Sequence, residues 1–140
     1  MANIDFPQFA RFQLERCNAA VTGLLEQKRL MLKVEQFIKL ELQEFEDPLK
    51  LRALVNIGLK TFAFDPDKGE DAPVLTADVD YVAEFHYPDG TLLKDVEDVF
   101  TGHEYQRQLV SQAFPLAVSR LRDLYSNMGV MADNLPLTPP

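Results

Sequence analysis

Along the middle of the chain apolar and polar residues alternate with a period of two. Ile38, Leu40 and Leu42 alternate with Lys39 and Glu41. Between Leu51 and Phe64, the residues Leu51, Ala53, Val55, Ile57 and Leu59 fall on one side. Val79, Tyr81, Ala83, Phe85 and Tyr87 form a third set, set against Asp80, Glu84 and His86. Successive side chains of a strand point to opposite faces, so the pattern predicts half-buried strands with one polar face, as in antiparallel sheets. The breaks carry turn chemistry: Glu46-Asp47-Pro48, Asp65-Pro66-Asp67-Lys68-Gly69, and Pro88-Asp89-Gly90 before Thr91-Leu92-Leu93.

From about Gly102 the period changes. Tyr105, Leu109, Val110 and Ala113 follow helical spacing, and Pro115 is expected to end or kink that helix. A second helix is expected from Leu116 to about Met128, with Val118, Leu121, Leu124, Tyr125 and Met128 on its apolar stripe and Gly129 as its stop. Prolines are expected to restrict the tail from Asn134 to Pro140 to extended backbone. The first segment, Phe6 to Gln27, admits two readings. Phe9, Phe12, Leu14, Cys17, Val21, Leu24 and Leu25 fit a loose helical stripe that Pro7 could open. A strand from Phe12 to about Val21 fits as well. Strands followed by helices indicate an α+β fold, with the helices packed on one face of an antiparallel sheet.

A chain of 140 residues fits a single domain, 1–140. No run approaches the ~20 apolar residues of a membrane helix, and the first residues carry no secretory pattern, so a cytoplasmic protein is expected. The net charge of −8 opposes binding to phosphate backbones and keeps an apolar surface soluble, so no nucleic-acid partner is expected. Cys17 is the one cysteine, which excludes an intramolecular disulfide; it reads as a buried or half-buried thiol that packs as a small hydrophobe. His86 and His103 lie in different elements without paired ligands. The acidic run Asp65, Asp67, Glu70, Asp71 lacks the closing glutamate of a calcium loop and reads as a solvated turn. No glycine-rich phosphate cradle is present. The chain therefore offers no motif for catalysis, no metal site and no cofactor site.

The segment Leu24 to Phe37 is richer in large apolar residues than one half-buried strand requires. Leu24, Leu25, Leu30, Met31, Leu32, Val34 and Phe37 are interrupted by Lys28, Arg29, Lys33 and Glu35. Leu30, Met31 and Leu32 are consecutive, so they cannot all face one side of a strand. Either the sheet is covered on both faces here or part of the set lines an exposed groove. Flexible Leu and Met side chains suit a groove that accepts unlike partners. The candidate groove residues are Leu25, Leu30, Met31, Leu32, Val34 and Phe37.

Several stretches, taken in order, resemble the SecB family of export chaperones. Phe12-Gln13-Leu14-Glu15-Arg16 resembles the family's opening strand and Ile38-Lys39-Leu40-Glu41-Leu42 its second strand. Tyr81-Val82-Ala83-Glu84-Phe85 resembles the later, glutamate-bearing strand. Phe114-Pro115-Leu116-Ala117 with Arg120, Leu121 and Leu124 resembles the start of the first long helix, and Asn134-Leu135-Pro136-Leu137 the segment after it. Together these span about Phe12 to Leu137 and tip the first segment toward a strand.

The resemblance implies a four-stranded antiparallel sheet with helices on one face, no cofactor, and a homotetramer built as a dimer of dimers. It places Leu24 to Phe37 as a crossover lining client grooves. Leu121, Leu124, Tyr125 and Met128, with more apolar strand surface than two helices cover, are the expected oligomer interface. Family members that serve export meet the SecA motor through acidic residues on the first strand and on the glutamate-bearing strand. Glu84 matches the second set, facing away from Tyr81 and Phe85. The first-strand stretch Asn18-Ala19-Ala20-Val21-Thr22-Gly23 has no carboxylate, which argues against SecA docking, and the chain has no tryptophan for the crossover. The function expected is that of a non-enzymatic chaperone holding unfolded polypeptide in apolar grooves. The alternatives are a dedicated chaperone of one partner such as an antitoxin, and a small-molecule-binding α+β domain, which would need convergent polar groups in a pocket.

Overall fold

The computed structural model describes residues 6–22, 30–45 and 50–129. Four strands are followed by two helices: β1 (Gln8–Val21), β2 (Met31–Phe45), β3 (Lys50–Phe64), β4 (Pro73–His86), α1 (Leu93–Phe100) and α2 (His103–Asn127). The sheet order is β1-β4-β3-β2, and every neighbouring pair is antiparallel. This is the α+β architecture expected, with both helices after the sheet.

The clean alternation of β3 and β4 places them at the centre. On the helix side, β3 residues from Leu51 to Ala63 and β4 residues from Leu75 to Phe85 are at most 5% exposed. Helix α2 lies over β3 and β4 and buries Leu109, Ala113, Phe114, Ala117, Leu121 and Tyr125 against them. One buried polar chain ties the layers together. Thr61 Oγ1 donates to the carbonyl of Ala77 at 2.8 Å, so the Tyr125 hydroxyl must donate to Thr61 Oγ1.

Helix α2 runs through Pro115 without a break. A proline inside a helix loses one hydrogen bond and costs about 3 kcal/mol. Here the deeply buried neighbours Ala113, Phe114, Ala117 and Val118 hold both halves to the sheet, while Pro115 itself faces solvent. The expected division into two helices at Pro115 is thereby corrected. Gly129, at φ +87°, closes the helix as expected, its N–H donating to the carbonyl of Ser126. Helix α1 lies outside the expected elements, although Leu93, Val96 and Phe100 carry helical spacing. The turn before it is the expected one: Gly90 has φ +86° and Thr91 N–H reaches the carbonyl of Pro88. At the β3–β4 turn, Asp65 Oδ1 accepts from the N–H of Asp67 and Gly69 adopts φ +85°.

The first segment is a strand, and its helix-like pattern has a physical cause. β1 carries register shifts between Phe9 and Arg11 and between Leu14 and Arg16. Through them Phe9, Phe12, Leu14, Cys17, Ala19 and Val21 stand opposite Phe85, Ala83, Tyr81, Val79, Ala77 and Leu75. Directly opposed residues share a face. Two bulges thus convert a period of two into spacings of three and two, which imitate a helix while keeping all six side chains on the helix side.

Candidate functional site

The helix layer is narrower than the sheet beneath it. On β1 the helix-side residues Phe9, Leu14 and Val21 are 39%, 48% and 46% exposed, and Cys17 is exposed between them. The expectation of a buried or half-buried thiol is corrected, because α2 does not extend over β1. Phe12 alone is partly sheltered, stacked on Tyr81 at 5.1 Å between ring centroids. Burial pushes the Tyr81 phenol above its ordinary pKa. On the opposite flank the helix-side residues of β2, namely Leu32, Val34, Ile38, Leu40 and Leu42, are half-buried and pack against the core. Two apolar strips therefore border the helix layer, one on each edge strand.

The candidate groove residues divide between the two faces of the sheet. Leu32 and Val34 lie on the helix side, and Leu30, just before β2, packs with them. Met31 and Phe37 lie on the other face, 50% and 59% exposed. Much of the expected crossover is the first half of β2 rather than a connection, since the strand begins at Met31. Leu25 lies outside the described residues. In Leu30-Met31-Leu32 the outer two side chains pack against the core and Met31 faces solvent on the other side.

The expected oligomer interface requires a correction. Leu121 and Tyr125 have no exposed surface and pack within their own chain, so neither can meet a partner. Leu124 and Met128 are half-buried against the same core. Periodicity marks an apolar stripe but cannot say which part the sheet takes.

Glu84 lies on the polar face of β4, opposite Tyr81 and Phe85 as alternation requires. It is not a free carboxylate. Arg52 of β3 binds it, reaches Gln43 Oε1 at 2.7 and 3.1 Å, and sits 3.7 Å above the Phe45 ring. Burial alone would raise the Glu84 carboxyl; the Arg52 hydrogen bond and charge, with a smaller effect of His86, hold it below the ordinary value. The same face has an open groove of about 790 Å³ over Gly58, between Phe37 and the Arg16–Asp80 ion pair. The phenols of Tyr87, Tyr105 and Tyr125 are raised by burial, and all three are held in the helix-side packing, away from that groove. Among the described residues no cluster of three or more His, Cys, Asp or Glu side chains could hold a metal, and no helix is long and apolar enough to cross a membrane.

A comparison with solved structures places the fold. The SecB-like chaperone Rv1957 of Mycobacterium tuberculosis, determined with a ChAD peptide from the Rv1956 HigA1 antitoxin, superposes with a TM-score of 0.61. The match covers 95% of this chain and 88% of that one at 18% identity. This chain has the SecB-like fold. No family model matches the sequence, and no curated protein matches it significantly. The β1 strip could have been found from sequence only by allowing bulges, since Phe9, Leu14 and Val21 keep no single period.

Proposed function

We propose that this chain is a non-enzymatic holdase that binds unfolded polypeptide along the apolar strips beside its helix layer. The observation that carries this is the exposure of Phe9, Leu14 and Val21 on the helix side of an edge strand. A monomeric protein rarely leaves such a row uncovered unless it binds something. Burying client side chains there gains about 25 cal/mol for each Å² of apolar surface removed from water. Extended clients can also add to a strand edge by backbone hydrogen bonds. Leu30, Leu32 and Val34 extend the site on the β2 flank, while Met31 and Phe37 face away from it. Binding unfolded chain in preference to folded chain holds clients back from aggregation by mass action. We place the protein in the cytoplasm, as one domain assembling as a tetramer whose subunits cover part of the strips.

A dedicated role for one partner is the second reading. It is favoured by the neighbouring structure, in which a SecB-like chaperone holds a peptide of an antitoxin. Tight SecA docking is not part of the proposal: Glu84 is engaged by Arg52, and Asn18 to Val21 supply no carboxylate. Suppression of aggregation, measured with several unrelated unfolded proteins, tests the reading. Activity on all of them supports a general holdase, activity on one antitoxin-like partner alone supports the dedicated role, and activity on none overturns both.

A further inference from the structure

The polar face of the sheet holds one arrangement twice, and only the first is complete. There, Phe45 of β2 and Glu84 of β4 flank Arg52 of β3. The Arg52 guanidinium lies 3.7 Å above the Phe45 ring and binds the Glu84 carboxylate. A planar cation held between an aromatic face and a carboxylate gains from both, by stacking and by charge-assisted hydrogen bonds. In the second arrangement, Phe37 of β2 and Asp80 of β4 flank Gly58 of β3, each directly opposite it in the ladder. The central strand supplies no side chain there.

Both walls of this second arrangement are accessible. Phe37 is 59% exposed. Asp80 is held by Arg16 from the far side, with Arg16 Nε 2.9 Å from Oδ2. Its Oδ1 is turned toward Gly58, and among the described residues no donor reaches it. A Cβ at Gly58 would stand 2.9 Å from that Oδ1 and 3.5 Å from the Cβ of Phe37. The glycine therefore keeps clear the space between ring and carboxylate, which opens into the groove of about 790 Å³. Glycine inside a strand forgoes side-chain packing and marks places where another group approaches the backbone closely.

We propose that Phe37, Gly58 and Asp80 form a docking slot for an arginine side chain of a partner polypeptide. The incoming guanidinium stacks on Phe37 and donates to Asp80 Oδ1, as Arg52 does with Phe45 and Glu84 in the same chain. Lysine fits less well, because its ammonium is compact, strongly hydrated and has no plane to lay on a ring. Lys39 and Lys60 border the slot, and Glu15 and Asp78 offset them. The net charge of −8 draws a cationic segment toward the molecule. The slot lies on the side of the sheet away from the helices and the apolar strips. It is a second surface, and it does not depend on the holdase reading.

The test is a titration of the full chain with the peptide acetyl-Ser-Gly-Arg-Gly-Ser-amide, followed by the backbone amide NMR shifts of Phe37, Gly58 and Asp80. The shifts should saturate at millimolar peptide. Peptides with lysine or citrulline in place of arginine separate the two contributions: lysine keeps the charge without the plane, citrulline the plane without the charge. Each should bind about two- to fivefold more weakly. Phe37→Leu and Asp80→Asn should each weaken the arginine peptide by a similar factor. Gly58→Arg fills the slot from within the chain and should abolish binding. Phe37 and Asp80 are at the surface, so their two variants keep the fold and carry the test whatever Gly58→Arg does to stability. Absence of a saturable shift overturns the proposal. So does equal binding of the three peptides, or an affinity unchanged in both Phe37→Leu and Asp80→Asn.

Discussion

Met31 and Leu32 are chain neighbours with opposite fates. Met31 is half exposed on the polar face, while Leu32 packs against the core. Met31→Ser should shift the melting temperature by no more than a degree or two, since exposed substitutions stay within about 0.5 kcal/mol. Leu32→Ser should cost about 1–3 kcal/mol through lost burial and a hydroxyl without a partner. Thermal melts of the two variants decide, and equal losses would show that β2 is covered on both faces. Glu84 is the second residue with a defined consequence. Its folded pKa lies below the unfolded value near 4.3, so its contribution is present above that pH and is lost as pH falls through the folded value. Stability measured from pH 6 down to 3 should fall less steeply in Glu84→Gln, which has no carboxylate to protonate. At neutral pH that variant should be less stable by about 1 kcal/mol, as expected for one partly exposed ion pair. An identical acid limb in both proteins would remove Glu84 from the acid response.

At the scale of elements, β1 and α2 each break a simple rule. β1 reads as helix or strand because its bulges displace the apolar period, and no residue in Phe9 to Val21 marks where they fall. α2 ignores Pro115 because packing on both sides of it outweighs one missing hydrogen bond. Pro115→Ala should restore that bond and raise stability by about 1–3 kcal/mol, with a higher melting temperature. A fall instead would mean that Pro115 itself sets how Phe114 and Ala117 meet the sheet. Helix α1 carried a usable pattern in Leu93, Val96 and Phe100, but eight residues after a turn are too few for periodicity to stand out.

For the whole molecule the consequential feature is the mismatch between a four-strand sheet and the helices that cover its centre. The helix side of the central strands is sealed, and the edge strands keep apolar strips in partial contact with water. Leu14→Asp places a charge on the β1 strip at a site already 48% exposed. It should leave the fold intact by circular dichroism, shift the melting temperature by only a few degrees, and reduce client capture several-fold. Undiminished capture would take β1 out of the binding surface. The same mismatch separates the two edges: the bulged one presents side chains on its face, and the regular one presents backbone along its rim.

Some of this was settled by the chain itself. Alternation in Leu51–Leu59 and Val79–Tyr87 is local, because side chains point to opposite faces wherever a strand forms, so the central strands and their buried faces follow from composition at each position. The turns at Asp65–Gly69 and Pro88–Gly90 are local for the same reason, being set by residues that tolerate those backbone angles. What needed the tertiary structure were the relations between distant segments. Only the packed fold decides that α2 lies on β3 and β4 and leaves β1 bare, that Leu121 and Tyr125 are used within the chain, and that Arg52 occupies Glu84. An apolar residue records in the sequence that it will be covered, but not by which surface, since the hydrophobic effect has no direction and the covering partner is chosen by geometry.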